Sequence, residues 1–286
     1  MRYEAPTTIK DAVALLHKAK GKAFVLAGGT DLLVRLKGDM LDADVIVDIK
    51  RIPQMQNIAS KGGTFRIGAS VSCAALGENK ALVKAWPGVV EAANLIGSDQ
   101  VQSRCTIAGN LCNASPAADS VPALIAARAK VAIVGPKGRR TLPVEKVVLG
   151  PGTTSLKTGE IVESISLPKS EPKSGDAYLR FIPRTEMDIA VCSAGVSLTL
   201  GARGIIKKAR VVLGAVAPTA VLVPAAARAL VGQKLDEAVM AKVAKACEAA
   251  CSPIDDKRGT QEFRTEVAGV LAKRAAKIAY QRAGGK

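Results

Sequence analysis

Apolar residues at Ala12, Leu15, Leu16 and Ala19 mark one face of a helix, and the Thr7-Thr8 pair before them is suited to cap it. Gly21 predicts its end. AFVLAGG (23–29) then predicts a buried strand entering a glycine turn, and DLLVRLK (31–37) the next helix. ADVIVDIK (43–50) is a second apolar strand, and GTFRIGASVS (63–72) alternates like a half-buried strand that enters a turn. CAALGENKALVKAWPGVVEAANLIG (73–97) predicts helix in two pieces, broken at Pro87-Gly88. KVAIVGPKGRRTLPV (130–144) predicts a hairpin turning at 135–138. Strands alternating with helices to about residue 168 read as a mixed α/β unit.

The pattern then changes. LPKSEPKSGDAY (167–178), with two prolines and two serines, reads as a linker. Three strand-like runs follow, YLRFIPR (178–184), IAVCSAGVSLTL (189–200) and IIKKARVVLGAVAP (205–218), and they predict an antiparallel meander. Helical spacing returns in 224–232 and 236–251, breaks at Ser252-Pro253, and resumes as a long final helix over 260–283. The second unit is therefore strands followed by helices, giving an α+β protein with domains at 1–170 and 176–286.

Composition narrows the function classes. At 286 residues the chain is long enough for two domains with full cores, and with one Trp, three Tyr and four Phe those cores must be mainly Val, Ile, Leu and Ala. Apolar runs such as VPALIAA (121–127) are far shorter than the ~20 residues of a spanning helix, and no apolar leader opens the sequence. A cytoplasmic protein with no integral membrane segment is expected. The six cysteines form no Cys-x-x-Cys and no ferredoxin-like run, and they read as reduced thiols. Cys247 and Cys251 share a helix face, as core residues do, and the only histidine, His17, reads as an exposed structural residue. Zinc chemistry and a Ser-His-Asp mechanism are thereby excluded, and neither a catalytic side chain nor a metal site is expected. The net charge is +16, and residues 201–286 alone hold 16 Lys/Arg against 7 Asp/Glu. These lie among alanines without interleaved aromatics, so they read first as a solvated helix face, then as a docking surface for an acidic partner, and last as a nucleic-acid site.

Two segments carry candidate chemistry. VLAGGTDLLVRLKG (25–38) is not the GxGxxG fingerprint. Consecutive glycines nevertheless let backbone N–H groups converge on an anion where a helix begins. Asp31 argues against a bare phosphate pocket and for a cap or a loop support. Taken alone, the stretch reads first as a plain strand-to-helix turn. The second segment, SRCTIAGNLCNASPAADSVPALIAA (103–127), sets Thr106, Asn110, Asn113, Ser115 and Asp119 among regularly placed Ile107 and Leu111, with Gly109 giving backbone access. That composition suits a loop wrapped around something polar.

VLAGGTDLL followed about 80 residues later by TIAGNLCNASPAAD resembles the flavoprotein subunits of the molybdenum hydroxylases, the family of xanthine dehydrogenase and carbon monoxide dehydrogenase. IGSDQVQSRCTIAGN, LGPGTTSLKTGEIVESISLP, FIPRTEMDIAVCSAGVSL and RGTQEFRTEVAGVLAKRA match in the same order along nearly the whole chain. The resemblance implies a vanillyl-alcohol-oxidase-type FAD-binding domain of two α/β subdomains, then a C-terminal domain of a three-stranded antiparallel sheet and helices. It implies that Val25, Leu26, Ala27, Gly28, Gly29, Thr30, Asp31 and Leu32 wrap the FAD pyrophosphate, with amides of Ala27–Asp31 as donors. Thr106, Ile107, Ala108, Gly109 and Asn110 would form the second phosphate and ribityl-side loop. Asp119 would accept from flavin N3–H, Val162 would lie along the ring, Ile96 would pack near the adenine, and Arg180 would stand near the flavin. Ala108 replaces a glycine common in the family, which would cost about 1–2 kcal/mol if the position needed a positive φ.

The implied role is electron transfer. Electrons from a molybdopterin-binding large subunit would pass through a [2Fe-2S] small subunit to FAD here and on to an external acceptor, in a dimer of heterotrimers. Two other readings stand beside it. One is a stand-alone FAD-dependent oxidoreductase, since AGGTDLLV also resembles the glycine loop of UDP-N-acetylenolpyruvoylglucosamine reductase. The other is a binding module built on the basic C-terminal region.

Overall fold

A computed structural model describes residues 1–285. Its first layer is a three-stranded parallel sheet of β1 (Arg2–Glu4), β2 (Ala23–Leu26) and β3 (Val45–Asp48), in the order β1-β3-β2. Helices α1 (Ile9–Lys18) and α2 (Leu32–Lys37) make the connections. Thr8 Oγ1 accepts from Asp11 N–H at 3.1 Å and so caps α1. Its buried face is Ile9, Ala12, Val13 and Leu16, while His17 is exposed, as its position predicts.

The second layer is a five-stranded antiparallel sheet. Its strands are β4 (Ile58–Lys61), β5 (Thr64–Gly68), β6 (Lys130–Gly135), β7 (Gly138–Pro143) and, after the small hairpin β8 (Val148–Gly150)–β9 (Thr153–Thr154), β10 (Ile161–Leu167). The order β4-β5-β10-β6-β7 puts β10 at the centre. Between β5 and β6 run six short helices, α3 (Cys73–Glu78), α4 (Lys80–Ala85), α5 (Pro87–Ala93), α6 (Asp99–Gln102), α7 (Ile107–Asn113) and α8 (Ser120–Ala126). The sequence predicts two helices over 73–97. Three form, because Asn79 caps α4 through Leu82 N–H and Pro87 opens α5 at a position where a missing N–H costs nothing.

The third layer begins with β11 (Ser174–Phe181), so the connecting segment is 168–173, shorter than the composition of 167–178 suggests. β12 (Cys192–Leu200) and β13 (Ile206–Gly214) complete the predicted meander, and a two-residue strand, β14 (Val221–Leu222), is added at its edge. Helices α9 (Pro224–Leu230), α10 (Glu237–Glu248) and the 22-residue α11 (Gln261–Arg282) cover one face. Their alanines (Ala268, Ala272, Ala275, Ala276, Ala279) pack against Val196, Leu198, Val211 and Leu213 in a core of small side chains. α8 lies flat on the opposite face. A Cβ at Gly195 would stand 2.9 Å from the Pro122 carbonyl carbon, so only glycine permits that approach. Arg264, 4% exposed, donates to Val191 O at 2.7 Å and to Asp256 Oδ1 at 2.6 Å, tying α11 to the sheet end. No helix among the described residues is long and apolar enough to cross a membrane.

Candidate functional site

A cavity of about 390 Å³ opens between the parallel sheet, α7 and the start of β10. That volume is within the range of small-molecule and cofactor sites. One wall is the end of β2 and the turn after it: Val25, Ala27, Gly28, Gly29, Thr30, Asp31 and Leu32. The facing wall holds Thr106, Ala108, Gly109 and Asn110, with Ile96 and Val162 at its sides. Two segments 80 residues apart in sequence thus face each other across one cavity.

The glycine turn is shaped by close approach. A Cβ at Gly28 would strike the carbonyl oxygen of Arg104 and stand 2.7 Å from Cys105 Cα. Gly28 is therefore the point at which the two walls touch, and the side chain it lacks would collide with backbone, not occupy the cavity. Gly29 has φ +81°, which disfavours any other residue. The N–H groups of Gly28, Gly29, Thr30 and Asp31 donate to no protein acceptor among the described residues. Asp31 does not cap α2. Its Oδ1 accepts from Asn113 Nδ2 at 3.1 Å, which links the two walls over the cavity and makes it the loop support that the sequence suggests.

On the facing wall, Thr106 caps α7, its Oγ1 accepting from Gly109 N–H at 2.9 Å. Ala108 lies inside that helix without a positive φ, so replacing glycine costs no backbone strain. Asn110 Oδ1 accepts from Ser120 N–H at 3.2 Å and Oγ at 2.7 Å, fixing α7 to α8. A third wall, Thr154, Leu156 and Glu160–Val162, is braced from outside. Arg140 Nε donates to Glu160 Oε1 at 2.8 Å, and Lys157 N–H to Glu160 Oε2 at 2.7 Å.

Four expected site residues do not border the cavity. Leu26 packs with Ala43 and Ile46, and Ile107 lies in the main core, because each points its side chain to the opposite face of its element. Asp119 and Arg180 are buried outside the cavity lining. Asp119 Oδ1 accepts from Tyr178 Oη at 2.8 Å and Oδ2 from Arg180 Nη1 at 2.7 Å, so it is a paired carboxylate with one hydrogen bond on each oxygen. Burial pushes its carboxyl up to about 6, against the opposing pull of Arg180 and Tyr178. Arg180 Nε is buried with no partner. Sequence reasoning missed Phe24, Arg35, Ile49, Cys105, Cys112 and Glu160 as lining residues. Arg35, Cys105, Cys112 and Glu160 lie inside quoted motifs, and that place was the one signal pointing to them. Burial pushes the Cys112 thiol up to about 12, so it is a packing group. Among the described residues no set of three or more His, Cys, Asp and Glu is placed to hold a metal ion. Free amides, a hydroxyl-capped helix and apolar sides make a binding cavity, with no nucleophile–base pair in it.

Comparisons with known proteins agree with this geometry. Residues 1–170 match the family described as FAD binding domain in molybdopterin dehydrogenase, and residues 177–279 match the CO dehydrogenase flavoprotein C-terminal domain. The carbon monoxide dehydrogenase medium chain of Hydrogenophaga pseudoflava is 33% identical over 281 residues, 98% of this chain and 97% of that one. The xanthine dehydrogenase FAD-binding subunit of Escherichia coli O157:H7 is 29% identical over 287 residues, 99% of this chain and 97% of its own. A solved structure of the Hydrogenophaga pseudoflava carbon monoxide dehydrogenase superposes with a TM-score of 0.94 at 34% identity, covering 99% of this chain and 98% of that one.

Proposed function

Since this chain belongs to the FAD-binding subunits of the molybdopterin dehydrogenases, we propose that it is the electron-transfer subunit of a molybdenum hydroxylase complex, with the cavity between the glycine turn and α7 as its FAD site. The observation that carries this reading is that Gly28–Asp31, whose amides have no protein acceptor, line one cavity together with Thr106, Ala108, Gly109 and Asn110. Consecutive N–H groups without a protein acceptor suit a pyrophosphate. FAD, when bound, supplies the redox centre that links iron–sulfur clusters on a partner to an external acceptor.

The residues of this chain bind and orient. Amides of Gly28–Asp31 hold the pyrophosphate, and Thr106–Asn110 close on it from the facing wall. Asp31 and Asn113 hold the two walls together over it. Ile96 packs near the adenine, and Val162 lies along the flavin ring. Asp119 and Arg180 are assigned to the polar edge of the ring on chemistry alone, since Arg180 Nε is a buried donor without a protein partner. We read residues 1–170 as the FAD-binding domain and 176–286 as the C-terminal domain.

The partners are a molybdopterin-binding large subunit and a [2Fe-2S] small subunit, in a cytoplasmic dimer of heterotrimers. The names of the relatives, a medium chain and an FAD-binding subunit, support a complex of several subunits. The absorption spectrum tests the function. The full chain, alone or in its assembled complex, is expected to show bound flavin after incubation with FAD, and colourless protein in both states overturns the proposal.

A further inference from the structure

A polar chain lies behind the glycine turn, outside the cavity. Lys50, just past β3, places Nζ 3.1 Å from the carbonyl oxygen of Ala27. The same ammonium is 2.8 Å from Asp48 Oδ1. Asp48 is 5% exposed, and it also accepts from Tyr3 Oη at 2.6 Å and from Lys50 N–H at 2.9 Å. One end of the chain is thus anchored across the parallel sheet, on β1 and β3. The other ends on a single main-chain carbonyl, that of the residue before Gly28.

That carbonyl matters because a peptide group is planar, and every peptide bond among the described residues is trans. The C=O of Ala27 and the N–H of Gly28 therefore point in opposite directions. Holding the oxygen on Lys50 turns the Gly28 N–H to the other side, where it has no protein acceptor. A positive charge on the oxygen also polarises the peptide and strengthens its N–H as a donor. Lys50 does not border the cavity, so it acts through this peptide.

We propose that Lys50, held by Asp48, is a positioning residue for the pyrophosphate of the dinucleotide, because its hydrogen bond to the Ala27 carbonyl aims the Gly28 N–H at a phosphate oxygen. This rests on the cavity being the FAD site. The ligands it favours are those with a pyrophosphate, FAD and ADP, and it has no effect on riboflavin, which lacks one.

Lys50→Met keeps most of the stem volume and removes the donor, whereas Lys50→Arg keeps a charged donor. FAD, ADP and riboflavin are titrated against the full chain, or against the assembled complex where flavin uptake needs assembly. Lys50→Met is expected to weaken FAD and ADP about tenfold or more, as for loss of a charge-assisted bond. Riboflavin affinity is expected to stay constant, Lys50→Arg to recover part of the loss, and the ³¹P resonances of bound FAD to shift in the Met variant. If Lys50→Met does not fold, Asp48→Asn, which releases the anchor, carries the same expectation. Equal FAD affinity in wild type and variant overturns the inference and leaves the site assignment intact. Wild-type protein that takes up no FAD in either state overturns both. A loss of riboflavin affinity equal to that of FAD marks general loosening and also overturns it.

Discussion

Adding one methyl group at Gly28 tests the two-walled site directly. The Cβ of Gly28→Ala would stand 2.7 Å from Cys105 Cα and closer still to the Arg104 carbonyl oxygen. Both obstacles are backbone, so no rotamer change relieves the clash, and ordinary contacts begin at 3.4 Å. The walls must part by at least about 0.7 Å, an overpacking cost of about 1–3 kcal/mol. At 2–4 °C per kcal/mol for a chain of this order of size, the melting temperature is expected to fall by about 2–12 °C. The same displacement carries the amides of Gly28 and Gly29 away from the facing wall. Losing one charge-assisted amide–phosphate bond, worth about 1.5–3 kcal/mol, weakens FAD by about 10–100-fold. Thermal melting reads the first effect and flavin-fluorescence titration the second. Gly150→Ala is the control, because nothing lies within 4 Å of its Cβ and its φ is not positive. A Gly28→Ala protein with unchanged melting temperature and FAD affinity refutes the account of the turn.

Other parts of the site give further expectations. Asp119→Ala leaves the Arg180 guanidinium, 5% exposed, without its carboxylate, so stability in urea is expected to drop by about 3–5 kcal/mol. The double variant Asp119→Leu/Arg180→Met is expected to recover much of that, and a double variant no more stable than the single one contradicts the pairing argument. Asp176, 4% exposed, accepts from Val89 N–H at 3.1 Å, and burial pushes its carboxyl up to about 7 from 3.8. The folded protein therefore holds this proton more tightly than the unfolded chain does. Its contribution is fully present below pH 4 and is lost as pH rises to about 7, on the order of 4 kcal/mol in all. Asp176→Asn is expected to flatten that part of the stability–pH curve, and parallel curves for the two proteins contradict it. Arg140→Met removes the brace on Glu160 at a partly exposed pair, worth about 1 kcal/mol, so FAD affinity is expected to fall about fivefold. An unchanged dissociation constant shows that the third wall needs no brace.

Local pattern and order along the chain were enough to read much of this protein from its sequence. Helix α1 with its cap, the strand–glycine-turn unit at 23–31, the 130–144 hairpin and the strands β12 and β13 are all encoded by neighbours within a few residues. Periodicity, caps and turn residues act at that range. The same local signal singled out the two segments that became the cavity walls, because small and polar residues in ordered runs are uncommon in a core, and the family resemblance joined them into one site. It did not find β10, whose pairing with β5 and β6 is long-range, nor β14, which has only two residues. It could not show that Gly28 meets Arg104, that Asp31 reaches Asn113, or that Asp119 pairs with Tyr178 and Arg180. Those contacts join residues 59 to 82 positions apart. Sequence determined which residues have the chemistry to bind an anion. Tertiary structure decided which of them line the cavity and which pair with other side chains, because a side chain's partners depend on how the layers pack and not on its own neighbours in the chain.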